Sequence, residues 1–468
     1  MEAFTKFVTM LDDFAWGPVM LILLVGTGVY FTVRTGALQF RKFGYAMKNT
    51  LGKAFTRQKA GKGEITPFQA MTTALAGTVG TGNIAGVTGA IFIGGPGAVF
   101  WLWISALVGM VTKYSEVVLA VRYRERNEEG DWVGGPMYSI KNGLGKNWVW
   151  LAYIFAFFGM VASFGIGNTT QVDSIATALN TAVNAFGGVT GNAFRIAIGV
   201  IVAIVVAVVI IGGIKRIGAV TEKLVPFMAV IYIIAALVVV FGNIGQIGVV
   251  LGAIFKGAFS PRAIAGGALG VGIMTTIQKG IARGVFSNEA GLGSAPIAHA
   301  ATSHVDPVKQ GFYGIFEVFM DSIVICTLTS LSLLMGLAGQ VGIDGIEWGV
   351  SHGSEMVVAA FTGIFGNKLS AIIIAIGLSL FALSTILSWS LYGARCCEFL
   401  FGKASKVATL VYKVLFCIVL VIGSTLGLDL VWTIGDALNG LMALPNLIAL
   451  LLLSGTVIKL TKEYFAKH

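Results

Sequence analysis

Residues 74–86, ALAGTVGTGNIAG, set the tightest limit on what this chain can become. They lie within an apolar run long enough to cross a bilayer, yet Gly77, Thr78, Val79, Gly80, Thr81, Gly82 and Asn83 favour an unwound backbone over a regular helix. Hydrocarbon offers no hydrogen bonds, so non-helical backbone at that depth survives only where protein or a wet cavity satisfies it. The fold must therefore enclose this segment. A bound ion and solute are one means of satisfying it.

The rest of the composition agrees with a membrane setting. The chain is 56% hydrophobic and 12% charged over 468 residues, with a mean hydropathy of +0.86. Long apolar runs recur without alternation, which predicts an all-α polytopic membrane protein and excludes a β-barrel. The 63 glycines suit close helix packing as well as helix breaks. A net charge of +10 need not mean nucleic acid, because the basic residues sit in short loops where positive-inside bias puts them. Asp12 and Asp13 precede the first apolar run, where a cleaved signal peptide would be basic. Cys326, Cys396, Cys397 and Cys417 lie in or beside apolar runs, without metal spacing, and are expected to be reduced and structural.

Eleven spans satisfy the charge rule at every long loop, with the N-terminus outside and the C-terminus cytoplasmic. The first, about Ala15 to Val33, precedes a basic loop from Arg34 to Lys62. The second, about Thr66 to Gly94, carries the broken stretch, and a tight GGPG turn leads into the third. Span four, about Trp148 to Asn180, is long enough to tilt. Span seven, about Ala263 to Gly284, contains a second glycine-rich interruption, GGALGVGIMTT, at residues 266–276. Spans two and seven are five apart and enter from opposite sides. That is the pattern of two inverted five-helix repeats, residues 66–241 and 242–458, preceded by one extra helix and a basic loop in residues 1–65 and followed by a tail, 459–468. Ala74, Leu75, Gly77, Val79 and Gly80 find a faint echo in Ala268, Leu269, Gly270, Val271 and Gly272.

A broken helix exposes N–H groups on one half and C=O groups on the other, so its two ends attract opposite charges. The amides around Thr81, Gly82 and Asn83 are placed to take a carboxylate, and the carbonyls of Ala76 and Val79 a cation. A glycine-rich packing face is the plainer reading. In span nine, Ser384 and Thr385 with the Phe381 carbonyl one turn earlier offer neutral oxygens to Na⁺; alternatively they bond back to their own helix. Asn168 and Gln171 share a face of span four and serve either a solute or neighbouring helices. Lys113, Glu116, Glu222, Lys223, Glu317 and Asp321 fall within spans, where snorkelling or mutual pairing is expected, with proton coupling through Glu317 or Asp321 as the sharper alternative. The four histidines, His299, His304, His352 and His468, read as loop or tail residues. Gly80, Gly82 and Gly86 follow no strand and do not make a dinucleotide fingerprint.

These stretches resemble the alanine or glycine:cation symporters, of the wider class with a LeuT-type inverted repeat. The likeness covers nearly the whole chain. It is carried by GGPGAVFWLWISALVG at residues 94–109, with Leu102 where the family usually has methionine, and by GTVGTGN at 77–83, GGPMYSI at 134–140 and SNEAGLGSAP at 287–296. The resemblance implies a ten-helix core in spans two to eleven. It implies a core Na⁺ site at Ala76, Val79, Phe381, Ser384 and Thr385. Its substrate site would comprise Thr78, Gly80, Thr81, Gly82 and Asn83 around the carboxylate, Asn168 or Gln171 with the carbonyls near Gly270 for the amine, and Ile273 and Met274 capping the side-chain pocket. Gly266 and Ala268 stand where the wider class often has hydroxyls, which leaves a second cation site in doubt.

The resulting expectation is a multi-pass cell-membrane symporter of alanine or glycine with Na⁺, needing no resident cofactor, nucleic acid or obligate protein partner. Coupling to H⁺ instead of Na⁺ is the nearest rival, and an ion channel is a rival of another class. No nucleophile–base pair or paired acidic site in the spans supports an enzyme.

Overall fold

The computed structural model describes residues 2–53, 60–61, 63–259, 272–349, 353–425 and 429–467. Helices α1 (Glu2–Ala15) and α2 (Pro18–Arg34) lead to the short α3 (Leu38–Arg41) and α4 (Phe43–Thr50). The second predicted span divides into α5 (Pro67–Thr78) and α6 (Ala85–Gly94), with their axes bent by 57°. Helix α7 (Ala98–Arg122) follows, then a hairpin of β1 (Glu125–Arg126) and β2 (Trp132–Val133), and α8 (Pro136–Ser139). Span four is α9 (Val149–Phe164) and α10 (Thr170–Ala185), joined by a π-helical turn at Gly165–Thr169. Helices α11 (Asn192–Ile211) and α12 (Gly213–Gly242) come next, then α13 (Ile247–Phe259), an apolar helix that precedes the seventh predicted span.

The second half comprises α14 (Ile273–Asn288), α15 (Ala295–His299), α16 (Pro307–Val318), a π-helical turn at Phe319–Cys326, and α17 (Thr327–Val341). Helix α18 (Glu355–Phe401) bends at Gly366, where φ is 73°. Then come α19 (Ser405–Gly423), α20 (Asp429–Leu441), α21 (Ala443–Leu452) and α22 (Ser454–Lys467). Among the described residues, eight helices are long and apolar enough to cross a membrane, or nine when α5 and α6 count as one broken span.

The outer helices show the expected lipid face. Ile201, Ile204 and Val208 of α11, Phe227, Val230 and Ile234 of α12, and Val407, Leu410 and Val414 of α19 are all exposed. Helices α5, α7, α14 and α16 lie inside, and small residues let them meet. A Cβ at Gly284 of α14 would fall 2.0 Å from Ser105 Oγ, and one at Gly314 of α16 would fall 2.9 Å from Lys113 Cγ.

Two expectations change here, and a third falls largely outside the described residues. Residues 266–271 of the anticipated second interruption lie outside the described residues, and helix is already regular from Ile273. A further irregular segment runs from Glu289 to Ser294, between α14 and α15. Glu289 (φ 54°), Gly291 (φ 97°) and Gly293 (φ 84°) take left-handed backbone there, a conformation that ends a helix. Lys113, Glu116, Glu317 and Asp321 do not snorkel. All four are at most 3% exposed, because helices surround them on every side. His299 closes α15 and is fully buried, so it is no loop residue.

Candidate functional site

Helix α5 starts on a reciprocal cap: Gln69 N–H donates to Thr66 Oγ1, and Thr66 N–H to Gln69 Oε1, both at 3.1 Å. It ends when Val79 leaves the helical region (ψ 90°), although Val79 N–H still reaches the Leu75 carbonyl. The next amide decides the geometry. Gly80 N–H donates to Asn83 Oδ1 at 2.8 Å, which turns it from its helical acceptor, the Ala76 carbonyl. A single 3₁₀ turn at Thr81–Asn83 then leads into α6.

Asn83 is itself held from behind. Its Nδ2 donates to Asp321 Oδ1 at 2.6 Å and to Ser287 Oγ at 2.9 Å, while Ser287 and Ser322 hydroxyls also donate to Asp321. The break is thus satisfied by a carboxylate from the turn between α16 and α17. This meets the demand that a membrane interior makes of unwound backbone.

The freed carbonyls face α18. Thr385 Oγ1 lies 3.0 Å from the Ala76 carbonyl and 3.1 Å from that of Phe381; Ser384 Oγ lies 2.8 Å from the Phe381 carbonyl and 3.5 Å from those of Ala76 and Val79. Two hydroxyls bring two protons against three carbonyls, so the cluster is rich in lone pairs and short of donors. Such a set of neutral oxygens suits a hard monovalent cation. All five predicted Na⁺ ligands are therefore in one place.

Beside this cluster lies a cavity of about 20 Å³, lined by Gly77, Thr78, Gly80, Gly82, Ile166, Gln171, Phe286, Ser287, Glu289, Thr385, Trp389 and Asn439. Gln171 reaches it from α10 and accepts from Thr81 Oγ1 at 3.1 Å, its own amide being anchored on the Ile166 carbonyl that the π-turn leaves open. Thr385 lines both the cavity and the oxygen cluster. A side chain at Gly80 would close the gap between them, since its Cβ would fall 2.4 Å from Thr385 Oγ1.

Other expected residues lie elsewhere. Asn168 donates to the Phe416 carbonyl of α19 at 2.8 Å and does not line the cavity. Ile273 and Met274 start α14 at the end away from Phe286 and Ser287, and they are 46% and 61% exposed. Gly270 lies outside the described residues.

The irregular segment after α14 brings residues that the apolar periodicity did not single out. Glu289 projects to the cavity, where Trp389 Nε1 donates to it at 3.0 Å and Ser294 Oγ at 2.5 Å. The segment's backbone is braced by Glu116 and Asn446. Gly291 N–H and Asn446 Nδ2 both donate to Glu116 Oε1, and Asn446 Nδ2 also donates to the Gly291 carbonyl. The available signal was the run SNEAGLGSAP, whose alternating glycines mark left-handed backbone.

Two breaks, a lone-pair cluster and a shared cavity between them are the parts of a transport site. The family model described as "Sodium:alanine symporter family" matches residues 1–468. The chain belongs to that family. Within it, the chain is 44% identical to the sodium/alanine symporter AgcS of Methanococcus maripaludis, over 98% of this chain and 97% of the relative. It is 37% identical to the probable sodium/glutamine symporter GlnT of Bacillus subtilis, over 98% and 90%. Among solved structures, MhsT in complex with L-phenylalanine superposes with a TM-score of 0.56 at 15% identity, covering 86% of this chain and 99% of that one, which shows a LeuT-type fold. This family member is an amino-acid transporter in a multi-pass membrane fold, and not an enzyme.

Proposed function

We propose that the chain is a Na⁺-coupled symporter of a small neutral amino acid, alanine or glycine, working by alternating access around the cavity between the two breaks. The observation that carries this reading is the double role of Thr385. Its hydroxyl belongs to the five-oxygen cluster and its side chain lines the cavity, so ion and solute meet on one residue. Na⁺ bound by Ala76, Val79, Phe381, Ser384 and Thr385 would fix α5 against α18 and shape the cavity wall. Coupling then follows from each ligand ordering what the other needs.

The substrate carboxylate is assigned to the amides at Thr81 and Gly82, which open the 3₁₀ turn, and the amine to Gln171 Oε1 and the Glu289 carboxylate. Phe286, Ile166 and Trp389 wall the remaining space. A cavity of about 20 Å³ must widen even for alanine. Eleven crossings with the N-terminus outside remain our reading. The run Glu355–Gly423 has 69 residues and would measure roughly 100 Å as one helix, so it must cross more than once. The fold supports the repeats at 66–241 and 242–458, with residues 1–65 as the added helix and loop.

The membrane potential contributes about 2.3 kcal/mol per cation per 100 mV before any Na⁺ gradient is counted. One Na⁺ per cycle therefore drives useful accumulation. Proteoliposomes loaded without Na⁺ should take up labelled alanine when external Na⁺ is present and not when choline replaces it. Uptake that ignores both Na⁺ and H⁺ would sink the symport reading. Uptake that follows H⁺ alone would favour proton coupling, the reading that the buried Glu116, Glu289, Glu317 and Asp321 keep in play.

A further inference from the structure

A second polar network lies apart from the cavity, at the far end of α15. His299 and Glu317 are both fully buried, and His299 Nε2 is in hydrogen-bond contact with Glu317 Oε1. The other ring nitrogen, Nδ1, lies 2.8 Å from Gln310 Nε2. Gln310 Oε1 in turn lies 3.0 Å from both Thr302 Oγ1 and His304 Nδ1. Thr302 Oγ1 donates to that oxygen, so the Gln310 amide nitrogen is the group that donates to His299 Nδ1. His299 therefore carries its one proton on Nε2 and donates it to the Glu317 carboxylate.

Two features exceed what a structural pair requires. Glu317 Oε2 is buried with no hydrogen-bond partner, so the carboxylate is left partly unsatisfied. A continuous polar chain also joins it to the surface through Gln310 and the partly exposed His304, next to Val305, which is 87% exposed. The charged and titratable groups packed around the pair are few. From α7 come the Lys113 stem against Gly314, Tyr114 against Gly311, and Arg124 at the loop. From α18 comes Tyr392, within electrostatic reach of Glu317 and Glu289, its hydroxyl buried without a partner. Asp306 caps α16 and the Tyr313 ring lies 6.0 Å from His304. On the far face, Tyr45 of α4 packs on Phe312 and meets Tyr464 of α22. Helix α5 brings no ionisable side chain.

The loop at the end of this chain is a strap. Ile65 N–H donates to the Ala301 carbonyl and Ser303 N–H to the Ile65 carbonyl, while Arg124 donates to the carbonyls of Ala300, Thr302 and His304. Residues entering α5, half of the first break, are thereby tied to residues leaving α15, beyond the second.

We propose that His299 and Glu317 form a proton-binding site, loaded from the surface through His304 and Gln310, whose occupancy controls the strap between the two broken helices. The added proton forms an N–H bond at His299 Nδ1. Gln310 must then turn its amide to present oxygen, which withdraws that oxygen from Thr302 and His304. The Thr302 and His304 side chains must then exchange donor for acceptor roles toward Gln310, which shifts the loop whose backbone carries the Ile65 and Arg124 bonds of the strap. The transport consequence rests on the function proposed above; the proton site itself does not.

The test uses the full chain in proteoliposomes, with alanine counterflow measured at constant Na⁺ and pH clamped equally on both sides from about pH 8 to about pH 5.5, the range a histidine samples. The exchange rate should rise about threefold or more on acidification, a change of well under one proton's linkage free energy per pH unit. Glu317→Gln and Gln310→Leu should flatten that profile while still binding alanine in the presence of Na⁺, which also shows that they fold. A wild-type slope in either variant overturns the proposal. Independently of transport, NMR of ¹⁵N-histidine-labelled protein should show a ring resonance, assigned by its loss in His299→Gln, that titrates over the same range. A resonance that does not move would overturn the site. Titration in a protein that carries no alanine would leave the site standing and refute the transport reading.

Discussion

Gly80→Ala separates the ion site from the rest of the fold. Gly80 has φ −134° and ψ −159°, extended backbone that alanine adopts freely, so only the added methyl matters. That methyl would lie 2.4 Å from Thr385 Oγ1 and 3.6 Å from Gln171 Oε1. The first distance is far below any van der Waals contact, so the Thr385 hydroxyl must rotate away from the Ala76 and Phe381 carbonyls, removing one of the five oxygens. Overpacking of this kind costs roughly 1–3 kcal/mol. Because 1.4 kcal/mol is tenfold in affinity, the half-saturating Na⁺ concentration for alanine uptake should rise by about 5- to 150-fold. Gly82→Ala is the control. Its Cβ meets only Phe286 ring carbons at 3.5 Å, an ordinary contact, so its half-saturating Na⁺ should stay near wild type while alanine affinity falls. An unchanged Na⁺ dependence in Gly80→Ala, or an equal shift in Gly82→Ala, would refute the ion-site geometry.

Removing both hydroxyls in Ser384→Ala with Thr385→Ala should raise the half-saturating Na⁺ further than Gly80→Ala does, and an unaltered value would remove these residues from the ion site. Asn83→Ala frees Gly80 N–H and strips one donor from buried Asp321, a loss of about 1.5–3 kcal/mol, so thermal unfolding in detergent should occur at a visibly lower temperature. Gly97→Ala puts a methyl within 2.1–2.3 Å of the Gly257 and Ala258 backbone, which cannot swing aside as a side chain can. It should destabilise by about 1–3 kcal/mol or more. Gly245→Ala, with nothing within 4 Å, should not; equal melting temperatures would contradict the α7–α13 packing. In the loop before α5, burial pulls the Glu64 carboxyl upward, but the Gly61 N–H, the Trp132 indole and the Arg126 guanidinium outweigh it and hold the value below 4.5. The stabilisation is present above pH 4.5 and disappears as pH falls through the lowered folded value. Wild type should therefore outlast Glu64→Gln under limited proteolysis at neutral pH, and the two should converge in acid.

The first break was legible because it combines small residues with a polar anchor inside an apolar run. Helix fails at Val79, within the run Gly77 to Asn83, and Ser384 and Thr385 are the adjacent hydroxyl pair on a helix that also carries Ser379, Ser388 and Ser390. The irregular segment at 289–294 was not singled out, because apolar averaging gives weight to glycine-rich runs such as GGALGVG, most of which lies outside the described residues, and none to a polar run such as Asn288 and Glu289. In the fold those polar groups are acceptable in the interior, since Trp389 and Ser294 satisfy Glu289, and Ser322 accepts from Asn288. Asn168 was paired with Gln171 on the assumption of an ideal helix. The π-turn at Gly165–Thr169 adds a residue to the turn and rotates Asn168 toward α19, while Gln171 faces the cavity. Periodicity carries no information about such an insertion.

The two breaks are stabilised in the same manner, and this bears on how the carrier can move. Each is held by a carboxylate from a neighbouring helix: Asp321 through Asn83 at the first, Glu116 through the Gly291 amide at the second. Lys113 lies within electrostatic reach of Glu116, Glu289 and Asp321, so one ammonium serves all three acids. Its Nζ has no hydrogen-bond partner, which means it offsets their charge without fixing any one of them in place. A cation locked in a bidentate pair would tie α7 to one break and resist motion of the other. A shared, unbonded ammonium leaves both breaks free to shift against α7 at little electrostatic cost. The oxygen cluster at α18, in contrast, holds α5 by direct contacts that a bound Na⁺ would strengthen. Under the proposed Na⁺ coupling, ion binding would be the step that selects the arrangement, with the buried charges behind the breaks permitting the others.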